Sequence, residues 1–470
     1  MKLPTGLYNV TCSVGEEAPL PEKAGDPEKR MEDPPLPRNP HDLDLQEDMG
    51  APKRAILIGV TGGSSEESME ELARLAETLD YEPCAELVQV RDAPDPATYL
   101  GSGKVEELRD AVAREGASVI IVDGVLSPVQ ARNLEDRTET SVMDRTDLIL
   151  GIFAARAGTS EGKLQVEIAR LKHQLTRLSG HGVEMSNPGA GIGTRGPGEQ
   201  KIEIDRRILR SRISRLSKEL DRVSKTRSEQ RKRRRESGIP IVALVGYTNA
   251  GKSTLFNCLT GEEAYADDKL FATLDPWTRK WTLTSGETLL LVDTVGFIRG
   301  LPVELVAAFR ATLEESVDAD VLIHVVDISS KSWPQQMATV EDVLSDLGVV
   351  ERPRIMCFTK CETVGREEVV LALRQHAGSL AISALWETGL QELESRVLRE
   401  LCGRRELVTW KIPYSKWDVV FEIRRAGVVR KERHEDDGAV ITCELSPEDV
   451  GRFSRKLGIQ PLLKGTPETR

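Results

Sequence analysis

Cysteine is sparse and scattered in this 470-residue chain. The seven cysteines are Cys12, Cys84, Cys258, Cys357, Cys361, Cys402 and Cys443; their number is odd and none forms a C-x-x-C pair. That pattern excludes a paired zinc motif and fits a reducing cytosol. No apolar run approaches the ~18 residues of a membrane span. The first residues lack the apolar core of a signal peptide, so no leader is expected. No repeat recurs at solenoid periods. A basic excess is also missing. Formal net charge is −12, so the chain as a whole is no nucleic-acid coat, and local charge matters more than the total. What remains is 39% hydrophobic and 30% charged, enough apolar material for packed cores. The length suggests about three domains at ~150 residues each.

Residues 1–52 carry Pro34-Pro35-Leu36-Pro37 in a Pro- and acid-rich stretch without hydrophobic periodicity, and a disordered tail is expected there. Order begins at the apolar strand Arg54–Val60. Met69, Leu72, Leu75 and Leu79 then repeat at threes and fours, the period of a helix over Ser65–Thr78. Further strands are expected at Leu87–Val90 and Ser118–Val122, and a helix from Gly103. Ser127 is a candidate N-cap with Pro128 in the first helical position. This alternation implies a parallel-sheet α/β domain over 53–160. Gly101-Ser102-Gly103-Lys104 invites a phosphate-loop reading but lacks the four-residue spacer and the following Ser or Thr. A helix-start turn is the expectation.

From Lys163 the period changes. Leu164, Ile168, Leu171, Leu175 and Leu178 alternate at four and three, and Ile202, Leu209, Ile213, Leu216, Leu220 and Val223 continue a similar seam. Between them, Gly180 to Gly198 contains seven glycines. Two such helices should fold back as an antiparallel hairpin over 161–237. From Glu203 to Ser237 there are fourteen Lys or Arg against six Asp or Glu, a local balance of +8. Six acids cannot pair fourteen bases. The face is either solvated or laid against a nucleic-acid backbone, and the unmatched charge favours RNA. The glycine loop is either a flexible connection or functional.

Gly246-Tyr247-Thr248-Asn249-Ala250-Gly251-Lys252-Ser253-Thr254 fits G-x-x-x-x-G-K-[ST]. An apolar strand, Ile239–Val245, precedes it and a helix follows. In that setting backbone N–H groups and a helix N-terminus cradle phosphates. Lys252 reaches the β- and γ-phosphates and Ser253 ligates Mg²⁺. Asp293-Thr294-Val295-Gly296 supplies D-x-x-G: Asp293 holds Mg²⁺ through water and the Gly296 amide faces the γ-phosphate. Thr273, between the two motifs, is the candidate switch threonine that closes on Mg²⁺. Lys252, Thr273 and Gly296 are therefore the candidate catalytic residues. Thr359-Lys360-Cys361-Glu362 stands where Asn-Lys-x-Asp belongs. Glu362 keeps a carboxylate for the guanine N1–H and N2–H₂ edge; Thr359 loses an amide, so guanine and adenine both stay open. Ser383-Ala384 would set a backbone amide against the guanine oxygen. Phe297 stands where a water-positioning Gln is common, so hydrolysis is slow or completed by another group.

Beyond these motifs, the chain resembles the HflX family of ribosome-associated GTPases. The resemblance rests on Thr98–Leu108, on Leu126-Ser127-Pro128 through Glu135, and on Asp144-Arg145-Thr146 leading to Lys163–Glu167. It also rests on Gly191–Glu199 with Ile204–Arg207, on Leu270–Pro276, and on Asp293–Phe297. It runs from about residue 53 to the end; Ile412-Pro413-Tyr414 and Phe421-Glu422-Ile423 resemble the small C-terminal domain of many members. The tail (1–52) lies outside it; for the rest it implies an α/β multidomain chain, with an N-terminal α/β domain (53–160) and a helical hairpin with a glycine-rich tip (161–237). A doubly wound P-loop GTPase domain (238–403) and a small α+β domain (408–470) follow. It further implies GTP hydrolysis with Mg²⁺, binding to the large ribosomal subunit, and splitting of stalled or idle ribosomes. The hairpin would carry Gly189–Arg195 toward the peptidyl-transferase centre and lie on rRNA. Asn249 matches the phosphate-loop Asn of potassium-binding GTPases, which brings K⁺ into view. Thr359, Glu362 and Leu385 depart from the family's usual Asn, Asp and Lys and leave base specificity open. A cytoplasmic monomer is expected, with peripheral membrane association left open.

Overall fold

The computed structural model describes residues 53–61, 65–179, 197–236, 239–261, 270–271, 276–300, 319–349, 352–402, 406–445 and 447–465. The expected tail, the tip Gly189–Arg195 and Thr273 lie outside them. All described residues belong to one unit, Arg38–Arg470.

The fold is α/β and multidomain. Its first sheet holds β1 (Lys53–Thr61), β2 (Tyr81–Val90), β3 (Val119–Val122) and β4 (Ser141–Asp144), all parallel in the order β2-β1-β3-β4. Helices α1 (Ser65–Thr78), α2 (Ser102–Glu115) and α3 (Pro128–Thr138) are its crossovers, and α4 (Arg145–Arg156) follows β4. Alternate strand residues feed two cores, as a period of two dictates. Ile56 and Ile58 pack with Leu108 of α2 and Leu134 of α3; Ala55 and Leu57 pack with Leu72 of α1 and Ile149 of α4. Ser127 caps α3 by accepting from Gln130 N at 3.2 Å, and Gln130 returns a bond to Ser127 N. Gly101 precedes the first turn of α2 and Lys104 pairs with Glu107 at 2.5 Å, so that glycine stretch starts a helix. Two elements are longer than the periodicity predicts. Strand β2 starts at Tyr81, because pairing with β1 recruits residues with no apolar alternation of their own.

The second such element is the hairpin. Its helices are α5 (Ser160–Ser179) and α6 (Pro197–Glu236). Helix α6 has 40 residues, about 60 Å at ~1.5 Å per residue. It starts inside the glycine run because Pro197 is preorganised for the first turn of a helix. Arg206 Nη2 donates to the Leu178 carbonyl at 3.2 Å, and Arg212 meets Glu167 at 3.0 Å. One helix descends as the other rises, so they are antiparallel. Ile168, Leu171, Leu209 and Leu216 are buried along them.

The third group is a six-stranded sheet in the order β10-β9-β8-β5-β7-β6. Its strands are β5 (Ile241–Gly246), β6 (Trp277–Thr282), β7 (Thr288–Asp293), β8 (Val321–Asp327), β9 (Arg354–Thr359) and β10 (Leu380–Ala381). Only β6 runs antiparallel. Helices α7 (Lys252–Thr260), α8 (Trp333–Asp346), α9 (Arg366–Gln375) and α10 (Leu390–Cys402) accompany it, with apolar cores on both faces. Finally, β11 (Glu406–Pro413), β12 (Val428–Glu435), β13 (Gly438–Leu445) and β14 (Leu463–Gly465) form an antiparallel sheet, β12-β13-β11-β14. Helices α11 (Trp417–Ala426) and α12 (Pro447–Leu457) share its core through Val420, Ile423 and Phe453.

Candidate functional site

Parallel register brings the motifs to one edge of the six-stranded sheet. Leu244 of β5 pairs with Asp293 of β7, Gly246 with Val325 of β8, and Asp327 of β8 with Thr359 of β9. The phosphate loop therefore leaves central β5 between neighbours on either side, the crevice where doubly wound sheets bind ligands.

The loop's glycines are required by space. A Cβ on Gly246 would sit 2.3 Å from the Val325 carbonyl oxygen, and one on Gly296 would sit 2.9 Å from Thr248 Cα. The D-x-x-G turn thus packs directly on the phosphate loop. Phe297 N donates to the Gly246 carbonyl at 3.1 Å, and Thr248 N to the Phe297 carbonyl at 2.8 Å. Lys252, 6% exposed, donates to the carbonyls of Tyr247 at 2.7 Å and Gly246 at 3.1 Å. Burial pushes its ammonium down to about 8, against the opposing charge of Asp293. Ser253 Oγ donates to Asp293 Oδ2 at 2.8 Å. A hydroxyl and a carboxylate side by side at a helix N-terminus are hard oxygen donors of the kind Mg²⁺ takes. Two polar atoms at the two ends of the site, Thr248 Oγ1 and Glu362 Oε2, are buried without hydrogen-bond partners among the described residues. Buried orphans of this kind call for a ligand.

Other motif side chains are committed to the protein. Thr294 Oγ1 donates to the Leu244 carbonyl at 2.6 Å, and Val295 and Phe297 are core residues. Thr359 Oγ1 lies 2.7 Å from the Ala250 carbonyl and ties the base-side loop to the phosphate loop, the work an amide there could also do. Lys360 pairs with Asp327 at 2.7 Å. Ser383 is buried and accepts from Trp386 N at 3.1 Å, with Ala384 beside it, next to β10. Asn249 is half-buried at a φ of +59°, and Thr254 faces solvent on α7.

The first domain reaches into this site, a feature invisible in the motifs. Tyr247 Oη donates to Glu71 of α1 at 2.6 Å and accepts from Arg299 N at 2.8 Å. Arg145, at the start of α4, pairs with Glu71 and, at 2.8 Å, with Asp123; its Nε donates to the Arg299 carbonyl at 3.2 Å. Ser68 joins Asp123 to the Arg299 guanidinium. Burial lowers Arg145 to about 10 and raises Asp123. On the same helix, Phe153 packs against Phe271, two residues before Thr273, with ring centroids 4.6 Å apart and the rings tilted by 51°. Helix α4 thus contacts the segments just before Thr273 and just after Gly296. Arg145 lay in the stretch Asp144-Arg145-Thr146, but no local signal distinguishes a buried arginine from a solvated one.

On α6, Arg207, Arg210, Lys218 and Arg222 are exposed. The last turns of α5 hold an ion cluster with the start of α4: Arg177 Nη2 lies 2.6 Å from Asp147 and 3.3 Å from Asp144, and His173 Nδ1 lies 3.1 Å from Asp147. Asp144, Asp147 and His173 have the spacing of a metal site, but the Arg177 guanidinium already occupies the cation's place.

Comparison with known proteins agrees with this architecture. Three family profiles match in succession: "GTP-binding GTPase N-terminal" over residues 66–154, "GTP-binding GTPase Middle Region" over 156–234 and "50S ribosome-binding GTPase" over 241–360. The GTPase HflX of Caldanaerobacter subterraneus subsp. tengcongensis is 45% identical over 408 residues, covering 86% of this chain and 94% of that protein. That of Escherichia coli K12 is 39% identical over 394 residues, covering 83% and 92%. A GTP-binding protein from Sulfolobus solfataricus solved in complex with GDP is 26% identical, covering 74% of this chain and 98% of that one, at a TM-score of 0.41. With identities of this size over most of its length, the chain belongs to the HflX family of GTPases.

Proposed function

We propose that this GTPase binds the large ribosomal subunit through the hairpin 161–237 and dissociates stalled or idle ribosomes, with GTP hydrolysis timing its release. The observation that carries this reading is the exposed basic face of α6, set on a helix of 40 residues that Arg212–Glu167 clasps to α5. An rRNA backbone supplies the negative charge that the hairpin's own acids do not. The match to a profile described as a ribosome-binding GTPase supports the same partner. The work falls to the segments 53–160, 161–237, 238–403 and 408–470, acting as one monomer in the cytoplasm. No described helix is long and apolar enough to cross a membrane.

In the nucleotide site, Ser253 and Asp293 would hold Mg²⁺, joined by Thr273, and the ion would neutralise charge on the β- and γ-phosphates. Lys252 binds those phosphates and the Gly296 amide senses the third. Asn249 is the residue for K⁺. The unpartnered Glu362 Oε2 favours guanine, since a carboxylate accepts from both N1–H and N2–H₂. With Phe297 in the core, the attacking water is oriented by a group from the ribosome. The test is GTP turnover and co-sedimentation with large subunits, in GTP and in a non-hydrolysable analogue, in K⁺ and in Na⁺. Stimulated turnover and prolonged binding in the analogue are expected. Unstimulated turnover with identical release would leave a nucleotide-gated RNA-binding module instead.

A further inference from the structure

The sheet presents Leu322, Val326 and Phe358 to the cores shared with α8 and α9. His324, in the middle of β8 and paired in register with Met356 of β9, is 1% exposed. Its Nδ1 lies 3.2 Å from Glu341 Oε1 of α8. Its Nε2 is buried without a hydrogen-bond partner among the described residues. A buried polar nitrogen left unbonded is costly, so an occupant is called for. A cavity of about 440 Å³ adjoins it, within the size range of small-ligand sites. Arg354 from the start of β9 and Arg396 from α10 line it, with His376 beside them. The His376 ring is fixed by edge contacts to Trp333 and Phe358, at 5.5 and 5.8 Å.

This cavity is not the nucleotide site. His324 and Arg354 stand in the middle and at the beginning of their strands, whereas the phosphate loop, Asp327 and Thr359 stand at the carboxyl ends. Charge decides what fits. A cation would face two guanidinium groups, with one carboxylate, Glu341, already bonded to Arg354 and His324. Its contact with His324, against the opposing effect of burial and with help from Arg354, holds the Glu341 carboxyl below its usual range. An anion instead meets the guanidinium groups of Arg354, which also pairs with Glu341, and of Arg396, whose Nε pairs with Glu400 at 3.1 Å, together with an imidazole oriented by a carboxylate. With Nδ1–H given to Glu341, Nε2 is an acceptor for the P–OH of a hydrogenphosphate.

We propose that this cavity is a second anion site that takes a phosphate group, free or carried on a small phosphate monoester, between Arg354, Arg396 and His324. The test uses the full chain saturated with GDP and Mg²⁺, so that the phosphate loop is filled. Inorganic phosphate and glucose 6-phosphate are titrated separately by calorimetry. One saturable event is expected in the unaltered protein, and the tighter probe tells free phosphate from a monoester. Arg396→Gln should weaken it at least tenfold and His324→Gln should abolish it, with GDP affinity unchanged in both. If His324→Gln disturbs GDP binding, Arg396→Gln decides alone. No saturable binding of either probe, or binding in Arg396→Gln equal to the unaltered protein, overturns the proposal.

Discussion

Single residues in this molecule do chemistry only through the environment that burial gives them. Lys252 is the clearest case. Without nucleotide its ammonium is held at about 8 by burial, and a bound triphosphate would favour the charged form. Above that pH, binding must take up a proton. GTP affinity is therefore expected to be level below about pH 8 and to fall by up to about tenfold per unit above it. Fluorescent-nucleotide titrations from pH 6.5 to 9.5 check this, and a flat profile overturns it. Glu362 carries the second prediction at this scale. Glu362→Gln replaces one acceptor by a donor that opposes the guanine N–H groups. A lost charged hydrogen bond of ~1.5–3 kcal/mol should cut the preference for GTP over ATP roughly ten- to hundredfold. Competition binding measures it; an unchanged ratio would mean that Glu362 does not read the base.

Among the elements, the hairpin is the one whose form and charge serve different ends. Its inner seam is ordinary core: Leu209, 2% exposed, should cost about 2–5 kcal/mol when cut to Ala. The last turns of its first helix are titratable. Burial alone would push His173 down, but its contact with Asp147 and the charges of Asp147 and Asp144 outweigh that and raise its pKa. A raised histidine stabilises the fold fully below its unfolded value of 6.5, and that contribution disappears as pH rises through the folded value. Asp147, held down to about 2, does not titrate in that window. Urea midpoints should therefore drop between pH 6 and pH 8.5 in the unaltered protein by more than in His173→Gln. Parallel curves for the two proteins would remove His173 from the account.

At the scale of the whole molecule, α4 joins the first sheet to the nucleotide sheet. The core around Leu57, Leu72 and Ile149 continues without a break to Val245, Phe271 and Phe297. Inside that apolar continuum sits the Glu71–Arg145–Asp123 cluster, bonded to Tyr247 and Arg299. Arg145→Ala would strand two carboxylates in a buried site. Removing one partner of a buried ion pair costs about 3–5 kcal/mol, and chemical denaturation should show a loss of that size. A loss under ~1 kcal/mol would mean that water already solvates the cluster.

Sequence alone determined what is built from contiguous residues. The phosphate loop, D-x-x-G, the Ser127 cap and the α5–α6 seam each depend on a few neighbours along the chain, so spacing and residue type sufficed to read them. Tertiary structure decided what depends on partners far away in sequence. It turned Thr294 into the core, gave Thr359 a carbonyl 109 residues away to hold, and buried Arg145 against the segment after Gly296. It also left His324 Nε2 facing an open cavity. The reason is dielectric as much as geometric. A charge or hydroxyl reads the same in sequence whether water or protein surrounds it, and only packing fixes which.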